Sequence, residues 1–426
     1  MPLYDFVLYG VTGYTGIKVL EALVDLPEQK KFAIAGRCEM KIRRIVEEVS
    51  LAKGKDLSNI PVIIADTTDE LSIVSMVKQA KVLLNVVGPY RIHGEIVVRA
   101  CAENGTNYVD VSGEPAFLES MQLKYADKAK ENNAYIVGCC GFDSLPCDIG
   151  VSLLKKWCSG WINHAETFLQ VETGDAGYAI NSGTFKSLVL SVANWKSDEL
   201  GKRRRQLMPE MLPRTGFYPP KRSILWYNYD LKSYCLPFLG TDKSVVSRSE
   251  YFKKQLYNEY PVCLNRKLDY YIYYLLKWCI KILLQPYVSV KSLLWSVVLL
   301  VYFVIFGILT QFEITKRILI AYPERCSFNY FKSSGPTEEQ ACFYYIFHIL
   351  RQAKFTYWFY GYGWSQKNTS DDEKPTSPPK RQVFIMVVRC DGPDPAYITT
   401  VSCLLCSALT ILEEPENLPQ RYSLPF

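Results

Sequence analysis

The chain has 426 residues, 49% of them hydrophobic and 22% charged, which allows two globular domains and excludes a disordered or fibrous polypeptide. A net charge of +6 is mildly basic, short of the balance of a dedicated nucleic-acid binder, so no nucleic-acid partner is expected. The 14 cysteines lack regular spacing, no apolar leader precedes Tyr4, and the three histidines, His93, His164 and His348, stand at no zinc-like distance from cysteine. These features point to a reduced, cytosol-facing protein without a metal site.

The first apolar run, Phe6 to Tyr9, ends in Gly10, Gly13 and Gly16, and a helix-like stretch, Ile17 to Leu26, follows. Glycines at a strand-to-helix turn allow positive φ and close approach of a pyrophosphate, while the helix N-terminus supplies free N–H groups and a partial positive charge. Tyr14 and Thr15 share this cofactor loop. About twenty residues on, where an NAD site would place an acidic residue against the ribose 2′-OH, the run Phe32 to Ala35 ends instead in Gly36 and Arg37. Arg37, with Lys41 one turn on, suits a 2′-phosphate, so NADP(H) is the expected cofactor, with NAD(H) as the alternative.

Further strands are predicted at Pro61 to Ala65, Lys81 to Val87, Asn107 to Val111 and Ala134 to Val137, with helices near Met40 to Ala52, Glu70 to Gln79, Glu95 to Glu103 and Ala116 to Asn132. Six strands with crossover helices predict a Rossmann-type doubly wound parallel sheet, an α/β domain over residues 1–150. Ligands on such sheets bind at the carboxyl ends of the strands. Gly10, Gly13, Tyr14, Thr15, Gly16, Arg37, Asp66, Val87 and Gly88 are therefore the expected cofactor residues. Reduction of a carbonyl or alkene also needs a proton donor. Tyr90 and His93, read as lying in the loop after the fourth strand, are the catalytic candidates, although a tyrosine after Gly-Pro equally packs a loop. Asp143 and Thr184 read as helix caps.

Residues 151–426 are predicted to form a second α/β (α+β) domain. Glu166 to Glu172 alternates like a strand and Ser182 to Asn194 reads as a helix. The basic, proline-bearing stretch Gly201 to Arg222 reads as a solvated loop, with contact to anionic headgroups as the alternative. Residues 270–312 form an apolar segment. Within it, Ser292 to Phe312 is uncharged and Leu293 to Leu309 is the most apolar window, near the lower limit of about 20 residues for a span. Tyr270 to Leu284 is interrupted by Lys277 and Lys281. A hairpin or surface-lying membrane insertion is expected, with a buried core helix as the alternative. A crossing is disfavoured because basic residues flank both ends and because strand-like Gln382 to Arg389 would be cut off from its domain. The acceptor Asn368-Thr-Ser370 should accordingly stay unglycosylated. Ser365 to Arg381 reads as a flexible loop, and Tyr397 to Leu412 as an apolar helix packing back on the first domain.

The motifs GVTGYTG, AGR, NVVGPYRIHGE, YVDVSGEP and GFDSLPCDIGV, in this order, resemble the saccharopine dehydrogenase-like oxidoreductases of the saccharopine dehydrogenase family. The resemblance reappears in SYCLPFLGTDKSVV, GPT and GYGWSQ. It implies a Rossmann domain followed by a second α/β domain, a nicotinamide cofactor, and lipid-droplet or endoplasmic-reticulum surfaces. The same branch is similar to bacterial trans-acting enoyl reductases, which implies a lipid-like substrate. The family's chain continues into a Gly-rich closing segment where this one ends at Phe426, and Asn181-Ser-Gly-Thr184 lacks an acidic residue before its glycine. The expectation is an NADP(H)-dependent oxidoreductase acting on a lipid or lipid-linked carbonyl or enoyl group. A non-catalytic scaffold or redox sensor on lipid droplets is the alternative. A homodimer is left open.

Overall fold

A computed structural model describes residues 2–28, 30–174, 178–210, 222–238, 240–257, 286–332, 352–364 and 383–419. Six parallel strands open the chain: β1 (Tyr4–Tyr9), β2 (Phe32–Gly36), β3 (Val62–Ile64), β4 (Ala80–Asn85), β5 (Asn107–Asp110) and β6 (Ile136–Val137). Their order is β3-β2-β1-β4-β5-β6, the doubly wound arrangement with a switch point between β1 and β4. Alternation along β1 divides the core. Phe6 and Leu8 face α1 (Tyr14–Val24) and α2 (Glu39–Lys53), whereas Val7 and Tyr9 face α3 (Glu70–Val77), α4 (Tyr90–Asn104) and α5 (Pro115–Glu131).

From β6 the chain enters α6 (Leu145–Trp157) and a second sheet. It contains β7 (Trp161–Glu172), β9 (Trp226–Asn228), β10 (Ser233–Pro237), β11 (Pro286–Val290), β13 (Lys354–Trp364) and β14 (Val383–Pro393), in the order β14-β13-β7-β11-β10-β9. Only the β7–β11 pair is parallel. Val151 and Leu154 of α6 and Val246 of α9 (Asp242–Tyr257) pack on Ala165, Leu169 and Phe359 of this sheet. Two short strands, β8 (Ile180–Asn181) and β12 (Phe331–Lys332), pair beside α7 (Ser182–Ala193). The C-terminal helix Thr400–Glu413 returns to the first sheet, burying Val401, Leu404, Leu405, Ala408 and Ile411 on the β4, β5 and α1 side of the first core.

Two expectations change, and one alternative falls away. Tyr90 and His93 do not lie in a loop, because α4 begins at Tyr90, five residues before the predicted Glu95. Lys202 to Arg205 are helical, on α8 (Leu200–Leu207), and dock on α5. Arg204 Nε donates to the buried Glu119 at 2.8 Å, and Arg203 donates to the Ala116 carbonyl at 2.7 Å. The helix Leu293–Leu309 is not a core helix. Phe306 is buried with Phe185 and Val189 of α7 and Leu319, whereas Leu294, Trp295, Val298, Val301, Ile305 and Ile308 are exposed, Trp295 to 65%. The apolar stretch Tyr270 to Leu284 and the loop Ser365 to Arg381, with Asn368, lie outside the described residues.

Candidate cofactor site

The glycine loop after β1 follows from sterics. Gly10 has φ +101°, and a Cβ there would meet Val87 Cγ2 at 2.7 Å, so the loops after β1 and β4 touch. A Cβ on Gly16 would lie 2.2 Å from the Gly10 carbonyl oxygen, which requires glycine in the first turn of α1. At Gly13, the N-cap of α1, the nearest atom would be Gly10 O at 3.4 Å. No side chain caps this helix, so its N-terminal N–H groups stay available to an anion. Thr15 is half-buried in the same turn. Tyr14 turns elsewhere, packing edge-on against Tyr397 with centroids 4.5 Å apart. Its buried hydroxyl has no hydrogen-bond partner among the described residues.

Exposed Arg37 stands at the end of β2, and no carboxylate pairs with it among the described residues. Asp66 follows β3 and accepts from Thr68 N at 2.9 Å and Thr68 Oγ1 at 3.0 Å. These bonds hold its carboxyl below the ordinary range, with Arg37 and His93 adding smaller electrostatic contributions. Val87 N donates to Asn85 Oδ1 at 3.1 Å, fixing the turn that leaves Gly88 exposed.

The two catalytic candidates do not converge. The Tyr90 hydroxyl is buried, donates to the Asn85 carbonyl at 2.9 Å and accepts from Val111 N at 3.3 Å. Burial raises its pKa far above the usual phenol value. A proton released from it would leave a phenolate inside the domain, so its evident work is to tie the ends of β4 and β5 together. His93 turns toward the other end of the sheet, with Nδ1 3.0 Å from Thr67 Oγ1.

Several polar groups beneath the crevice carry no local sequence signal. Glu114, in the YVDVSGEP stretch, is 1% exposed. It accepts from Tyr90 N at 2.9 Å, Arg91 N at 3.0 Å and Ser187 Oγ at 2.9 Å, capping α4 from 24 residues away and joining α7 to the crevice. Arg91 makes two 2.7 Å bonds to Asp198, a second tie between the domains. Asp110 accepts from Tyr108 Oη, Ser112 N and Cys139 N at 2.7 to 2.9 Å, and burial pushes its carboxyl up to about 6. Asp143 does not cap α6. Its Oδ2 accepts from Thr241 N at 3.2 Å, and burial raises its pKa above the ordinary carboxylate range. At α7 the cap is Asn181, which accepts from Gly183 N at 2.9 Å, rather than Thr184.

A glycine cradle at an uncapped helix N-terminus, with an unpaired guanidinium at the end of β2, fits a dinucleotide bearing a 2′-phosphate. Such an arrangement suits a nicotinamide-dinucleotide-binding oxidoreductase. Residues 6–137 match the family model of the saccharopine dehydrogenase NADP-binding domain, and NADP(H) is the preferred cofactor. A Caenorhabditis elegans lipid droplet localized protein is 38% identical over 99% of this chain and 92% of its own length. The human saccharopine dehydrogenase-like oxidoreductase is 34% identical over 98% of this chain and 90% of its own. A Mycobacterium tuberculosis protein assigned as a trans-acting enoyl reductase is 33% identical over 51% of each chain. The chain belongs to the saccharopine dehydrogenase-like oxidoreductase family.

Proposed function

We propose that this oxidoreductase uses NADP(H) to reduce a carbonyl or enoyl group of a lipid or lipid-linked substrate at the cytosol-facing surface of a lipid droplet or endoplasmic-reticulum membrane. The observation that carries the reading is the placement of Leu293–Leu309. One side of this helix is an exposed apolar row, and the other packs through Phe306 on Phe185 of α7, with centroids 5.6 Å apart. Ser187 of α7 in turn bonds Glu114 beneath the crevice. The exposed apolar row and the cofactor crevice thus share one helix, which supports delivery of a substrate from a lipid surface to the reducing site. The names of the worm and mycobacterial relatives agree with this reading.

The buried Tyr90 hydroxyl, committed to two backbone groups, favours a second reading, a cofactor-binding scaffold or sensor on droplets. Turnover separates the two. Purified protein and NADPH are incubated with phospholipid-coated neutral-lipid emulsions carrying extracted cellular lipids, and NADPH loss and lipid mass changes are followed. Lipid-dependent oxidation of NADPH, abolished by Gly13→Asp, is expected. Cofactor binding with no turnover on any lipid fraction would replace the enzyme with the scaffold.

A further inference from the structure

The sheet order separates the two ends of the cofactor. In a doubly wound sheet the dinucleotide crosses the switch point, with its adenosine over the half that begins with β1 and its nicotinamide over the other half. Here the first half is β1, β2 and β3, and the second is β4, β5 and β6. His93 is carried by α4, which follows β4, yet its ring reaches back over the first half. Nδ1 lies 3.0 Å from Oγ1 of Thr67, in the turn after β3. Asp66 in that turn senses both the His93 imidazole and the Arg37 guanidinium. Tyr9, at the end of β1, senses both Arg37 and Asp66 from below. The parallel registers Tyr9↔Ala35 and Gly36↔Ile64 set the ends of β1, β2 and β3 side by side, and the His93–Thr67 contact brings the ring from α4 to the same, adenosine end.

We propose that His93 is a binding residue for the adenosine 2′,5′-bisphosphate half of NADP(H), working with Arg37 and Asp66, rather than a proton donor to the substrate. Thr67 holds Nδ1 and thereby sets the ring orientation. The Nε2 edge of the half-buried ring has no partner among the described residues. The exposed guanidinium of Arg37 supplies paired donors for a phosphate. The Asp66 carboxylate, with Oδ1 occupied by Thr68, offers Oδ2 to an adenine amino or ribose hydroxyl group. A donor for phosphate and an acceptor for the nucleoside thus stand side by side, and His93 closes the cluster from the α4 side.

Calorimetric titration of the full-length protein with two half-cofactors tests this without any substrate. Adenosine 2′,5′-bisphosphate probes one half, and reduced nicotinamide mononucleotide probes the other. His93→Ala is expected to weaken adenosine 2′,5′-bisphosphate and NADPH by a common factor of about ten or more, as for loss of one hydrogen bond to a charged group, and to leave the mononucleotide unchanged. Thr67→Val, which keeps the shape but releases the ring, should give a smaller loss of the same pattern. It also decides the matter if His93→Ala fails to fold. Unchanged affinity for adenosine 2′,5′-bisphosphate in the folded variants, or a loss confined to the mononucleotide, would overturn the assignment and return His93 to the nicotinamide end. The lipid reading is independent. Its failure appears as absent turnover with these affinities intact.

Discussion

Two helices of similar apolarity have opposite fates in this molecule. The stretch Pro395–Glu413, 19 residues long, is apolar and long enough to cross a bilayer, yet Val401, Leu404, Leu405, Ala408 and Ile411 are packed into the first core. Leu293–Leu309 is shorter, 17 residues or about 25 Å at 1.5 Å per residue, and so falls below a hydrocarbon core of about 30 Å. It nevertheless presents most of its large side chains to the outside. Apolarity says that a helix needs a non-aqueous partner. Which partner it finds depends on whether a sheet face lies open to it. The first sheet leaves the Phe6 and Leu8 face to be covered, and the C-terminal helix completes that cover alongside α1 and α2.

The largest stability effect should come from breaking the covered helix. Leu404 is fully buried, and Leu404→Asp would force a carboxylate into the core, at a cost of at least about 4 kcal/mol. Circular dichroism melting should show loss of the cooperative transition, and a variant melting like the wild type would mean that the helix does not belong to this core. A second effect follows from the same burial. Val109, beside Asp110 on β5, packs in the cluster that includes this helix, and burial pushes the Asp110 carboxyl up to about 6. The folded protein then holds a proton that the unfolded chain releases at about pH 4. The contribution of Asp110 to stability is therefore fully present below about pH 4, is lost as pH rises through the window from about 4 to 6, and stays lost above it. For a shift of two units the loss is ~3 kcal/mol. Asp110→Asn should flatten that limb of the curve in urea titrations, and an unchanged slope would show that Asp110 is ionised throughout.

Local patterning carried most of the first sheet, because short β-branched runs ending in glycine are buried parallel strands and their helices repeat at a regular interval. Distant partners were not legible. Nothing near Tyr90 announces that its N–H is capped by Glu114, so Gly-Pro read as the start of a longer loop. The run Lys202 to Arg205 looks solvated until α5 supplies Glu119 and the Ala116 carbonyl. In the second sheet, β7 pairs with β13 almost two hundred residues later, Lys354 opposite Glu172, a register that no local period encodes. The cofactor loop was legible because the requirement for glycine is local. The contact between His93 and Thr67 was not legible, because the two residues lie 26 positions apart and are joined only across the sheet.

The glycines give effects of intermediate size and test whether the loop is built for a ligand or for packing. α1 shares the first core with the C-terminal helix through Val19, Leu20 and Leu23. Gly16→Ala drives a methyl to 2.2 Å from backbone and should cost roughly 1–3 kcal/mol. Gly13→Asp meets no such obstacle, so stability should stay within about 0.5 kcal/mol while NADPH affinity drops at least about tenfold from charge repulsion and blocked approach. Fluorescence titration beside a melting curve reads both. If Gly13→Asp still binds NADPH normally, the pyrophosphate lies elsewhere.

The smallest effect on folding is expected where the exposed helix is altered. Trp295 is 65% exposed, and its neighbour Val298 lies one turn on at 45%. Replacing both with serine removes side chains that are largely exposed, so the melting temperature should move little, by the equivalent of about 0.5 kcal/mol. Docking on a lipid surface should suffer more. Burying a large apolar side chain contributes about 1.5–3 kcal/mol, so two lost anchors should cut partition onto phospholipid-coated triolein droplets by at least about tenfold. Lys316 and Arg317 both bond Glu313 on the next helix, Lys316 through a close ion pair and Arg317 at 3.1 Å. Among the described residues of this helix pair the two cations share one carboxylate, which leaves a small excess of positive charge, so binding should depend chiefly on apolar insertion and change little with salt. Flotation of wild type and the double variant at low and high ionic strength measures both properties. A double variant that floats as well as wild type, or release of the wild type by salt, would remove Leu293–Leu309 as the lipid contact and leave its exposed row to be covered by another protein surface.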